Sequence, residues 1–138
     1  MLFPAFMLSL LSACQKGGNK GNTDDQKSLK IGVLREDDTS DEARTWEEYL
    51  KTVGKELNMT FDFTTTNSSS SEVSAINTYA SKGYDAILLF SDDDFVASVE
   101  TATNKKMYIL SPTGHPTEEQ YDQIKDNEFY LGSVAPLE

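Results

Sequence analysis

The chain is poor in the residues from which most reactive centres are built. It has one cysteine, Cys14, among 138 residues, so no intrachain disulfide can form. Its single histidine, His115, excludes a histidine-rich metal centre, and no metal is expected. No Gly-x-Ser-x-Gly elbow and no glycine-rich phosphate loop occurs, so no catalytic residues, no enzyme activity and no cofactor are expected. Positive charge is scarce as well. Twelve Lys and Arg against 23 Asp and Glu give a net charge of −11, a field that repels nucleic acid and anionic lipid headgroups. What remains is a chain 38% hydrophobic, enough for the core of one ordinary domain and too short for two α/β lobes.

Residues 1–13, MLFPAFMLSLLSA, carry no charge and run from apolar to small side chains. That pattern is a secretory leader, too short to span a bilayer stably. Leu11-Ser12-Ala13-Cys14 resembles a bacterial lipobox. The resemblance implies cleavage before Cys14, a diacylglyceryl group on its thiol and an acyl chain such as palmitate on its new amino group. Several chains on one residue make a firm anchor where one alone binds marginally. Residues 14–28 follow as a tether of Gly, Asn, Asp and Lys with nothing to bury. A monomeric domain over 29–138 is expected beyond it, secreted and held to the bacterial membrane by this N-terminal lipid only.

From Leu29 the pattern alternates strand and helix. Strands are expected at 29–34, 59–63, 86–90, 107–110 and 129–134. Thr39 with Glu42 reads as a capping box, followed by Ala43, Trp46, Leu50, Val53 and Leu57 on one helical face and Asn58 as a left-handed stop. Residues 64–71 read as a polar linker ending in helix-cap residues, before a helix over 72–82 with Val73, Ile76 and Ala80 inward and Gly83 closing it. Helices over 95–105 and 117–125 complete the series. The run Ala86-Ile87-Leu88-Leu89-Phe90 is apolar throughout, as in a central parallel strand covered on both faces. The expected fold is a five-stranded parallel sheet of order 2-1-3-4-5 with helices on both faces, a flavodoxin-like or Rossmann-type α/β lobe. Such sheets bind ligands beyond the carboxyl ends of the strands where strand order reverses, here between Arg35–Asp38 and Ser91–Asp94.

Three stretches resemble the N-terminal lobe of the type I periplasmic substrate-binding proteins: Lys30-Ile31-Gly32-Val33-Leu34, Ala80-Ser81-Lys82-Gly83-Tyr84-Asp85-Ala86-Ile87-Leu88-Leu89, and Phe129-Tyr130-Leu131-Gly132-Ser133-Val134. The resemblance implies a ribose- or galactose-receptor-like lobe whose second lobe is missing here. It implies capture of a small polar, sugar-like solute by cleft closure and delivery to an ABC permease or a membrane sensor.

Candidate ligand contacts follow from the strand ends. Arg35 can grip a carboxylate, while Glu36 and Asp37 can accept from sugar hydroxyls or pair with an amine. Asp92 and Asp93 follow the third strand, where one acid of the Asp92–Asp94 run is expected to cap the next helix. Ser111 and Thr113 follow the fourth strand, where family members hold a polar contact. Trp46 shares a stripe with Ala43 and Leu50 and reads as core. The competing reading is a phospho-receiver-like or other flavodoxin-like signalling domain, because acids follow both the first and third strands. The fifth strand, however, ends in Gly132-Ser133-Val134 without the lysine a receiver uses.

Overall fold

The protein is described by a computed structural model covering residues 27–91 and 93–134; the leader, Cys14, most of the tether and Asp92 lie outside the described residues. Its elements are β1 (Leu29–Arg35), α1 (Asp41–Leu57), β2 (Met59–Thr65), α2 (Ser69–Ser81), β3 (Ala86–Leu89), α3 (Phe95–Asn104), β4 (Tyr108–Ser111), α4 (Glu118–Ile124) and β5 (Tyr130–Ser133). The five strands pair in parallel in the order β2-β1-β3-β4-β5. Strand order therefore reverses at β1: the chain steps one way to β2, then back across to β3. Right-handed crossovers place α1 on one face and α2, α3 and α4 on the other.

The core lies beneath the three-helix face. Leu34, Ile87, Leu89 and Ile109 project from the strands onto Ile76, Phe95, Val99, Ala102 and Ile124. Ile76, Ile87, Leu89 and Val99 are fully buried, each contributing about 1.5–3 kcal/mol relative to an exposed side chain. Gly32 lets α2 close on β1, since a Cβ there would meet the Tyr79 ring at 2.5 Å. Tyr79 is held in place by its hydroxyl, which bonds the Asp62 carbonyl at 2.9 Å and Thr64 Oγ1 at 2.7 Å. Asp85, after the left-handed Gly83 (φ 76°), ties the foot of β3 to β1. Its carboxylate accepts from the Lys30 backbone N–H at 2.9 Å and from Lys27 Nζ at 3.0 Å.

Four details differ from the sequence reading. Ser40, not Thr39, caps α1, with its hydroxyl accepting from the Ala43 N–H at 3.1 Å. Thr39 is unavailable because its own N–H and hydroxyl both donate to Asp37 at 2.7 Å. The stretch 64–71 is not a linker throughout: β2 runs on to Thr65, and Ser68 and Ser71 form a reciprocal capping box that starts α2 at Ser69. The inward face of α2 carries Glu72, Ala75, Ile76 and Tyr79, while Val73 and Ala80 are half-buried. Leu57, read as inward, is exposed at the last turn of α1.

β3 is central, yet its two faces differ. Ile87 and Leu89 are fully buried, whereas Ala86 and Leu88 are half-buried. The reason is that α1 packs on β2, where Gly54 sits against Met59 and Phe61. Among the described residues no helix extends that cover across β3 to β5.

Candidate functional site

The carboxyl end of β1 delivers Arg35 into a crevice between the sheet and the start of α1. Val33, Arg35, Glu36, Asp37, Ser40, Glu42, Ala43, Trp46, Phe63, Phe90 and Thr113 line it, around a volume of about 190 Å³. That is below the roughly 300–1,000 Å³ of a complete small-molecule pocket, as one wall of a cleft would be.

Arg35 forms the floor. Its Nη1 donates to Glu47 Oε2 at 2.8 Å, and its guanidinium lies 4.8 Å over the Phe63 ring. The Nε has no hydrogen-bond partner among the described residues, and the side chain is only 15% exposed. Glu47 also accepts from Lys51 Nζ at 2.5 Å, and Lys51 and Arg35 together hold its carboxyl below the usual range. Asp37 is held well below the usual carboxylate range by hydrogen bonds from Ser40 and Thr39, so it stays ionised. Trp46, one helical turn into α1, is half-buried and stands edge-on to Phe90 at the tip of β3.

The candidate residues are thus distributed unevenly. Arg35, Glu36, Asp37 and Thr113 meet at this crevice. Ser111 is fully buried, and its hydroxyl is used within the loop, donating to the Gly114 carbonyl at 3.0 Å and accepting from the Gly114 N–H at 3.1 Å. Asp93 is exposed and not among the lining residues, and Asp92 lies outside the described residues. Asp94 caps α3, its carboxylate accepting from the Ala97 N–H at 3.0 Å. The crevice therefore leans toward α1 and the loop after β4 rather than toward 91–94.

Sequence reasoning assigned Arg35, Glu36, Asp37 and Thr113 to a site and missed the other lining residues, among them the aromatic walls Trp46, Phe63 and Phe90. A strand-terminal aromatic such as Phe90 carries a signal only once the pleat is known. Behind the sheet edge, Ser91 joins Thr66, Glu72 and Ser98 in a buried polar cluster. Glu72 Oε2 accepts from Ser98 Oγ at 2.9 Å, while its Oε1 has no partner among the described residues. Burial, with the Asp93 charge adding to it, pushes the Glu72 carboxyl up. Among the described residues no three His, Cys, Asp or Glu side chains gather as a metal site.

The five-stranded parallel α/β sheet of order 2-1-3-4-5 is a fold that this chain shares with solved periplasmic binding proteins. Several solved structures share the fold. The chain superposes on an ABC-transporter periplasmic solute-binding protein from Actinobacillus succinogenes with bound D-allose, at 13% identity and a TM-score of 0.60 over 68% of this chain and 35% of that one. It likewise matches the periplasmic binding component of the arabinose ABC transporter from Shewanella sp. ANA-3, at 14% identity and 0.60 over 78% and 34%. A type II dehydroquinase from Butyrivibrio crossotus shares the architecture at 11% identity and 0.57, over 78% of this chain and 87% of that one. At these identities the likeness is one of fold. The chain spans about a third of the length of the two binding proteins. No protein-family model and no curated protein matches it in sequence. Among the described residues no helix is long and apolar enough to cross a membrane.

Proposed function

We propose that residues 29–138 are one lobe of an extracytoplasmic solute receptor, lipid-anchored through Cys14 and the 14–28 tether, that captures a small polar solute and passes it to an ABC permease or a membrane sensor. The observation that carries this reading is the crevice itself. It lies at the carboxyl end of β1, where strand order reverses, and it combines aromatic walls with convergent charged and hydroxyl groups. The solved binding proteins of the same fold hold sugars, which supports a sugar-like ligand.

Binding is the work of the site, with no bond made or broken. Arg35, Glu36, Asp37 and Thr113 are the polar contacts, and Trp46 supplies an apolar ring for a sugar face. A second lobe closing over this wall would bury the rest of the solute, and closure is the signal a permease or sensor reads.

Calorimetric titration of the chain against sugars, nucleosides and amino acids tests the reading. Saturable binding that Trp46→Ala abolishes is expected. Silence across the whole panel would contradict it.

A further inference from the structure

The two edges of the sheet are protected differently. β5 has four residues, its register with β4 shifts at Ile109/Leu110, and Gly132 lies at φ 116°. Shortness and irregularity of this kind keep an edge from recruiting another strand. β2, at the other edge, has neither. Its seven residues run in unbroken register along β1, with no proline or glycine among them. Its one charge, Asp62, is engaged by the Tyr84 hydroxyl, which donates to its carboxylate. The Leu29 N–H donates to the Asn58 carbonyl at 3.3 Å, and the Thr66 N–H to the Arg35 carbonyl at 2.8 Å. Even-numbered residues of this strand therefore bond β1, and alternation turns the N–H and C=O of Met59, Phe61, Phe63 and Thr65 toward the open edge. Hollows flank that edge on both faces. One of about 400 Å³ is bordered by Gly54, Lys55, Met59 and Phe61, the other of about 300 Å³ by Asp62, Thr64, Tyr79 and Lys82.

From this geometry we infer that β2 pairs antiparallel with β2 of a second copy of this chain, about a two-fold axis through Phe61, joining two five-stranded sheets into one. This replaces the monomer expected from the sequence. The strand is its own complement in that register. Phe61 stands opposite Phe61 of the second copy and Met59 opposite Phe63, all residues whose backbone groups face outward, so each pair closes hydrogen bonds and an apolar ladder together. Thr60 stands opposite Asp62. Centring the axis on Asp62 instead would set two carboxylates face to face, which destabilises a strand pair. The hollows give side chains of the arriving strand room on both faces.

Sedimentation equilibrium of the full chain tests the pairing. A small strand-edge contact between two chains of charge −11 is expected to give a dimer with Kd of about 10–100 μM. The dimer should tighten severalfold as NaCl rises from about 50 to about 500 mM, because salt screens the mutual repulsion. Thr60 is exposed, so its replacement spares the fold, which an unchanged circular dichroism spectrum verifies. Thr60→Asp, facing Asp62 of the second copy, should weaken the dimer about tenfold, whereas Thr60→Lys should tighten it. The same charge changes at exposed Gln123 on α4, away from this edge, should move Kd far less. A chain that stays monomeric up to about 500 μM in high salt overturns the inference. So does association that ignores both Thr60 substitutions, or that answers Gln123 as strongly as Thr60.

Discussion

Trp46 stands edge-on to Phe90, with ring centroids 5.1 Å apart and planes inclined by 66°. The pair joins the first helix to the tip of the central strand, so one contact both closes the fold at this end and shapes the wall of the crevice. Trp46→Ala is expected to cost about 2 kcal/mol, from the lost aromatic pair and a half-buried ring. Urea titration followed by circular dichroism measures it. Trp46→Phe should recover most of that stability, which separates the packing role from any role in binding.

Gly32→Ala tests how tightly the second helix lies on the sheet. The new Cβ would stand 2.5 Å from a tyrosine ring that two hydrogen bonds hold in place. A loss of about 1–3 kcal/mol is expected in the same urea assay. An unchanged midpoint would show that Tyr79 can move aside.

Glu72 gives the pH dependence a definite sign. Burial raises its folded pKa above the unfolded value, so its contribution is fully present below the unfolded pKa and is lost as pH rises through the folded one. Glu72→Gln keeps the shape and removes the titration. The melting temperature of this variant is expected to exceed that of the native chain by a margin that widens from mildly acidic to mildly alkaline pH. A constant margin would contradict the assignment.

Asp85 acts in the opposite direction. The Lys30 backbone N–H and the Lys27 ammonium lower its folded pKa, so its stabilisation is present above the unfolded value and is lost as pH falls through the folded one. Asp85→Ala should cost about 1.5 kcal/mol at neutral pH, the low end for a charge-assisted bond because a quarter of the side chain meets water. The deficit should vanish in acid, as thermal melts across the acid range will show.

The strands and their order were legible because they are short apolar or, at 59–63, alternating runs between helices, and five βα alternations leave few topologies. The helix starts were less so. Thr39 and Ser40 are equal as caps on paper, and the choice falls to Ser40 only because Asp37 takes the hydroxyl of Thr39. The serines before Glu72 were legible as cap residues, but not which of them caps: the reciprocal bond between Ser68 and Ser71 lacks the usual Glu or Gln, so the helix starts at Ser69 rather than Glu72. At the site, Arg35, Glu36, Asp37 and Thr113 were legible as residues just beyond strand ends. Trp46 was not, since it shares its helical stripe with buried Leu50, and which stripe positions overhang the sheet depends on where α1 crosses β1 and β2. Glu72 looked like an ordinary acid of a helical first turn. Its burial follows from α3 packing against α2 through Ser98, a tertiary contact with no local signature.

Amide chemical-shift mapping with a saturating polar solute tests the central claim most directly. Shifts clustered on 35–42, Trp46, Phe63, Phe90 and Thr113 are the predicted result. Shifts confined to the opposite sheet face around Tyr79 and Tyr84, or scattered without a centre, would contradict it.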